Sequence, residues 1–362
     1  MQGTPLRRNR LRSLTGLRFF AAMMVVLLHA AQRFDPIHGL TSVVGFGYAG
    51  VSFFFMLSGF ILAWTSRDAD TARQFYWRRF ARVWPLHALT TGMAIVVALL
   101  VGLPLLWPAL TAILTLVQAW FPGPDIKYAF NGPSWSLSCE LFFYLLFPWL
   151  IKVLMRRQRI LSTAIAVGAV MVAVAGACAM LFQPEHLGFL LYTMPAFRLG
   201  EFVIGILLAI ALQRGWRPRI SMMQAVLGTL IMYGMLALAA NLVLHDVARL
   251  PYFVADLWMM PGCAAIIAAG AAGDLRGDRG IIRSAPVVRL GQWSFALYLV
   301  HELILKASEP LVDDLDSTSA TVVAVVVIVL SVVASGGLYV WFERPMERRL
   351  RAWVAPKQEV TA

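Results

Sequence analysis

The sequence predicts an all-α, polytopic integral membrane protein of about ten transmembrane helices with both termini in the cytoplasm. Three observations carry that prediction. First, 60% of the 362 residues are apolar and only 14% are charged, against about 45–50% and about 25% in soluble domains; mean hydropathy is +0.73. A soluble chain of this size still needs a polar skin, so the surplus apolar surface must face lipid. Second, apolar runs near the roughly 20 residues needed for one crossing recur along the whole chain. Third, the basic residues fall into alternate connections between those runs. A soluble enzyme, a disordered chain and a disulfide scaffold are excluded. The three cysteines (Cys139, Cys178, Cys263) are far apart and each lies in an apolar run, which suits neither a disulfide framework nor a zinc site.

The runs begin near Leu17, Gly45, Leu86, Ser134, Ser162, Thr193, Ser221, Phe253, Val288 and Ser319. Those from Ser221 to Val243 and from Ser319 to Phe342 are almost uniformly apolar. Leu103 to Phe121 reads as an extra short or re-entrant segment, and the Pro- and Gly-rich stretch Pro122 to Pro133 as an ordered external loop. Leu17 to His29 has no convincing cleavage site beside it, so it reads as a retained span and not a signal peptide. The expected organisation is a cytoplasmic segment at 1–16, a membrane domain at 17–343 and a basic cytoplasmic tail at 344–362.

Net charge is +12, from 31 Lys and Arg against 19 Asp and Glu. With the N-terminus inside and ten spans threaded, 26 of the 31 basic residues fall inside, from Arg7, Arg8, Arg10 and Arg12 through Arg67 to Lys357. Only Arg33, Lys127, Arg198, Arg249 and Lys306 fall elsewhere, and the last external loop is acidic (Glu309, Asp313, Asp314, Asp316). Topology therefore accounts for the positive charge, and no nucleic-acid partner is needed.

Ionisable groups inside spans are costly and tend to be functional. His29 lies eleven residues after Arg18, about 16 Å along a helix axis, so Arg18 belongs at the cytoplasmic edge and His29 in the outer half. Glu140, six residues into the fourth span, falls roughly 9 Å below the outer boundary, and His301 about 20 Å into the ninth. The three are thus expected at one level; a hydrogen-bonded cluster that merely ties helices together is the structural alternative. A second polar level lies at the cytoplasmic face. Arg79 and Arg82 are three apart and share a helical face, and guanidinium pairs suit phosphate; ordinary positive-inside residues would look the same. Arg198 and Glu201 are expected to neutralise each other, and Ser58-Gly59 offers close backbone approach. No Gly-rich phosphate loop is present, and no metal is expected.

These residues occur in a recognisable order: Leu14-Thr15-Gly16-Leu17-Arg18 with His29; Gly50 to Phe60; Arg79-Phe80-Ala81-Arg82 leading to Trp84-Pro85; Trp135-Ser136-Leu137 to Glu140 with Phe143-Tyr144; Ser294 with Tyr298-Leu299-Val300-His301; and Phe342-Glu343-Arg344-Pro345. Over Leu14 to Pro345 the chain resembles the membrane-bound acyltransferase 3 family, which includes O-acetylases of O-antigen and exopolysaccharide, Nod-factor acetylases and macrolide acylases. Cys139 and Leu141 depart from the usual neighbours of the glutamate, and the short tail resembles that of single-domain members.

The resemblance implies transfer of an acyl group, acetyl most commonly, from cytoplasmic acyl-CoA to a hydroxyl of an external or membrane-embedded acceptor, such as a sugar of a surface polysaccharide or a lipid-linked glycan, in the bacterial inner membrane. It implies that Arg18, Arg79 and Arg82 hold the CoA phosphates. His29 is then the general base, since an imidazole with a pKa of about 6.5 suits proton transfer near neutrality. Glu140 is expected to orient His29 or stabilise its imidazolium. His301 is expected to serve as a donor in the catalytic group, and Ser58, Trp135, Ser136, Ser294 and Tyr298 to bind substrate. The competing class is a proton-coupled transporter or glycan flippase, against which stands the lack of an internal repeat.

Overall fold

The computed structural model describes residues 11–34, 43–66, 71–100, 102, 104–245, 247–311 and 315–353. Arg7, Arg8, Arg10, Arg67, Asp313, Asp314 and Lys357, used above for charge placement, lie outside them. The described residues are helical with no strand. Eight helices are long and apolar enough to cross a membrane. They begin at Arg12, Ala72, Gly132, Ile160, Pro184, Met222, Tyr252 and Thr318. Two more helices occupy the remaining expected positions. Ala49–Thr65 is apolar but has only 17 residues, and Ala285–Ser308 carries Arg289, His301, Glu302 and Lys306.

Boundaries moved where polar residues had hidden helix. α1 (Arg12–Phe34) starts before Leu17. α2 (Ala49–Thr65) is followed by α3 (Ala72–Leu100), which begins a full fourteen residues before the expected Leu86 and so holds Arg78, Arg79 and Arg82 within it. The extra segment contains a short helix, Trp107–Leu114, and a 3-10 turn at Gln118–Trp120. The stretch read as an external loop is ordered but includes single turns at Pro124–Lys127 and Gly132–Ser134. The basic tail begins as a helix, Arg344–Ala352, continuous with the last span through a π-helical turn at Tyr339–Glu343.

The helices sort into two shells. Ile160–Leu181 and Met222–Leu244 are only 11% buried over their apolar windows, whereas Pro184–Gln213 and Tyr252–Arg276 are 72% and 61% buried. The outer helices face lipid along most of their surface. There the valine-rich run of Ser317–Leu338, poor for a helix in water because its side chains are β-branched, is helical because lipid offers no other partner to the backbone. Asp316 caps this helix by accepting from the backbone N–H groups of Thr318 and Ser319. Hydrogen bonds led by the Ser319 side chain hold its carboxyl below the usual range.

Inner helices meet through small residues. A Cβ on Gly59 would lie 2.0 Å from the Phe202 carbonyl oxygen, and one on Gly205 1.9 Å from that of Met56. The two glycines sit reciprocally where α2 crosses α7 (Pro195–Gln213), a backbone-to-backbone crossing that only hydrogen permits. Gly205→Ala is therefore expected to push the helices apart at a cost of about 1–3 kcal/mol. Thermal unfolding of the purified protein in detergent checks this; an unchanged midpoint would contradict it.

The same helices are pinned by a buried ion cluster. Arg198, fully buried, donates to Asp256 at 2.5 Å and to the Ser52 hydroxyl at 3.1 Å, and lies 3.3 Å from Glu201. Ser52 in turn donates to Asp256 at 2.8 Å. Asp256 lies in α9 (Tyr252–Arg276), so α2, α7 and α9 share one cluster. The expected Arg198–Glu201 pair is present, but Asp256 is its stronger member.

Candidate active site

Two further helices complete the site: Trp135–Met155 and α10 (Ala285–Ser308), the second packed along α1. His29 and Arg33 are one helical turn apart on α1; His301, Glu302 and Lys306 come from α10. The His29 Nδ1 and His301 Nε2 atoms are 3.0 Å apart, with the ring planes within 19° of parallel and their centroids 5.2 Å apart. Glu302 Oε2 is 3.4 Å from the same His29 nitrogen. Its other oxygen receives Arg33 at 2.5 Å and lies 3.8 Å from Lys306. Arg33 also pairs with Glu309. His301 is fully buried and its Nδ1 is 2.9 Å from the Leu297 carbonyl. His29 is 26% exposed and faces a cavity.

That histidine cavity, of about 410 Å³, is bounded by His29, Arg33, Glu302, Lys306, Gln32 and an aromatic wall. In the wall, Tyr48, Tyr192, Tyr252 and Trp135 have ring centroids 4.5–5.9 Å apart. The ordered stretch before the helix Trp135–Met155 closes one side: Lys306 donates to the Phe130 carbonyl and Asn131 to that of Leu299.

A second cavity, of about 220 Å³, is lined by Arg18, Arg79, Arg82, Ser58, Ser136, Glu140, Tyr144, Ser294 and Tyr298 among apolar residues. Arg82 is committed to Glu343 and Glu347, which couples it to the C-terminal helix. By contrast, among the described residues no carboxylate lies within 4.0 Å of Arg18 or Arg79, and the Arg79 Nε is buried without a hydrogen bond. Arg79 lies about 6 Å from the Tyr144 and Phe75 ring centroids. Val51 and Tyr298 line both cavities. The Tyr298 hydroxyl, at the junction, is 2.9 Å from Ser136 Oγ and 3.0 Å from the Pro133 carbonyl.

The structure thus brings His29 and His301 together, and Arg18, Arg79 and Arg82 together. It does not bring Glu140 to His29. Glu140 lines the arginine cavity, accepts a hydrogen bond from Tyr144 at 2.6 Å and is absent from the histidine cavity. Axial depth fixes only one coordinate; Glu140 lies on the face of the helix Trp135–Met155 that carries Ser136, Leu137 and Tyr144, three or four residues away, and that face lines the other cavity. The carboxylate beside His29 is Glu302. Trp135 lies in the histidine cavity, whereas Ser58, Ser136 and Ser294 lie in the arginine cavity. Glu302 is adjacent in sequence to His301, and depth along the helix does not single it out. Its signal lay in Arg33 and Lys306, two of the five basic residues that broke the inside-positive pattern and that surround this carboxylate.

His29, His301 and Glu302 also bring three ligand atoms within 4.8 Å of one another, a composition that suits a divalent metal, although their mutual hydrogen bonds already give each group a partner.

A family model described as an acyltransferase domain matches residues 11–340. The chain belongs to the acyltransferase 3 family. It is 37% identical to the acyltransferase MdmB of Streptomyces mycarofaciens over 374 residues, covering 96% of this chain and 94% of that one. Nodulation protein 10 of Rhizobium leguminosarum bv. viciae is 32% identical over 42% of this chain and 47% of its own. The peptidoglycan O-acetyltransferase OatA of Listeria monocytogenes is 26% identical over 42% of this chain and 26% of its own. No solved structure matches. Family membership and the apolar helices together make this a multi-pass membrane acyltransferase.

Proposed function

We propose that the protein moves an acetyl group from acetyl-CoA, held in the arginine cavity, to a hydroxyl of a carbohydrate acceptor in the histidine cavity. The observation that carries this reading is the pair of cavities sharing Val51 and Tyr298: one is walled by Arg18 and Arg79, which have no carboxylate partner among the described residues, and the other by His29, backed by the buried His301. Under the inside-positive threading, Arg18, Arg79 and Arg82 face the cytoplasm and the CoA pool, and the histidine cavity opens toward the outer side of the bacterial inner membrane.

In the reaction His29 takes the proton of the acceptor hydroxyl as its oxygen attacks the thioester carbonyl. The carbon–sulfur bond breaks, and the CoA thiolate leaves and is reprotonated from the imidazolium. Tyr298, at the junction, can donate to the oxyanion by turning its one proton away from the Pro133 carbonyl, which it now serves. Arg18 and Arg79 are the main phosphate ligands, because phosphate at Arg82 must compete with Glu343 and Glu347. Tyr48, Tyr192, Tyr252 and Trp135 present ring faces that suit the C–H face of a pyranose. OatA, named for peptidoglycan O-acetylation, supports a glycan acceptor, and the full-length similarity to MdmB supports acyl transfer by a chain of this size.

The test is release of free CoA from acetyl-CoA by purified protein with a mixture of methyl pyranosides. Arg18→Ala and Arg79→Ala are each expected to raise the apparent KM for acetyl-CoA about 10- to 100-fold, the worth of a charge-assisted hydrogen bond. Unchanged KM in both variants would remove the phosphate site.

A further inference from the structure

We propose that Glu302 is a positioning residue of this reaction, setting the charge environment of His29 while the His301–Leu297 pair fixes its tautomer. The inference rests on His29 acting as the base.

The tautomer follows from the acceptors. The Leu297 carbonyl can only accept, so the His301 Nδ1 that faces it at 2.9 Å carries a proton. In neutral His301 the Nε2 is then a lone pair, and the His29 Nδ1 at 3.0 Å must donate to it. The carboxylate Oε2 at 3.4 Å makes the same demand on that nitrogen, since it too only accepts. Both neighbours place the proton on Nδ1. His29 Nε2 is left with the lone pair that a general base requires.

Glu302 divides its two oxygens. Oε1 takes Arg33 at 2.5 Å, with Lys306 at 3.8 Å, while Oε2 faces the imidazole. The cations hold the carboxylate in place and leave one oxygen directed at His29. When His29 gains a proton from the acceptor, a negative charge already lies beside the ring, and no group has to reorganise. Glu302 borders the acceptor cavity, but its part in this scheme is played through His29.

Two measurements on the full chain test this. Nitrogen-15 spectra of histidine-labelled protein in lipid nanodiscs at pH 8, with His29→Gln to assign the signals, are expected to show His29 protonated at Nδ1 and bare at Nε2; a proton on Nε2 would overturn the proposal. In the CoA-release assay, with methyl pyranosides or water as acceptor, Glu302→Gln is expected to lower kcat about 10²- to 10³-fold. That is below the ~10⁴-fold loss known for a triad carboxylate, because His301 still holds the tautomer. The KM for acetyl-CoA should stay within about threefold, and Arg33→Met, which breaks the ion pair but keeps the carboxylate, should lose less than about tenfold. Equal losses in Glu302→Gln and Arg33→Met would reduce Glu302 to an ion-pair partner and overturn the proposal. So would activity removed by a chelator and restored by zinc, since a metal would occupy the lone pairs. Should Glu302→Gln fail to accumulate, Glu302→Asp decides: a lowered kcat at constant KM supports the role, and an unchanged kcat refutes it. An active His29→Ala enzyme would instead sink the underlying reading of the base.

Discussion

His29→Ala is expected to reduce acyl transfer by about 10³-fold or more while the protein accumulates in the membrane at the normal level. General-base catalysis contributes about 10²–10⁴-fold, and among the described residues no second side chain at the histidine cavity is placed to substitute. Glu302 is held by Arg33 and Lys306, and His301 is fully buried with its Nδ1 committed to Leu297. The fold should tolerate the change because His29 is 26% exposed at a cavity wall, so its truncation opens no sealed void. Free CoA and acylated product are the readouts, with immunoblotting for protein level. Transfer at more than a tenth of the normal rate would reject His29 as the base.

The second large effect concerns folding. Arg198→Leu is expected to destabilise the protein by about 3–5 kcal/mol, because Asp256 and Glu201 would be left in an apolar core without their cation. The effect is large against a typical total of about 5–15 kcal/mol. The triple variant Arg198→Leu, Asp256→Leu, Glu201→Leu should recover much of the loss, since replacing every charge of a buried cluster is often neutral whereas removing one partner is not. Thermal unfolding in detergent distinguishes the cases. A single variant as stable as the parent would show that the cluster does not hold α2, α7 and α9 together.

The helices were legible because lipid imposes a blunt rule: about twenty apolar residues close their own hydrogen bonds or do not cross. The rule blurs where a helix carries polar residues inside a protein core. α3 therefore began earlier than hydropathy indicated, and α10 hides Glu302 and Lys306 in an otherwise apolar stretch. Depth arithmetic placed His29 and His301 together because both lie on long, regular helices that run alongside each other. It failed for Glu140, whose helical face points to the other cavity. The partners of Arg82 were beyond local reading: Glu343 and Glu347 lie more than 250 residues away in the chain, and only tertiary packing brings them to α3.

That packing also bears on donor binding. The C-terminal helix Arg344–Ala352 is tied to α3 by Arg82 with Glu347 and by the Trp77 indole donating to the Leu350 carbonyl. Phosphate arriving at Arg82 meets a guanidinium whose Nη1 already serves carboxylates that anchor this helix.

The most direct test is a structure of the protein with a non-hydrolysable acetyl-CoA analogue. The expected result places the phosphates against Arg18 and Arg79, runs the pantetheine arm through the arginine cavity, and sets the acetyl carbonyl at Tyr298 on the side facing His29. Phosphates bound elsewhere, or an acyl end separated from His29 by a closed wall at Val51 and Tyr298, would contradict it.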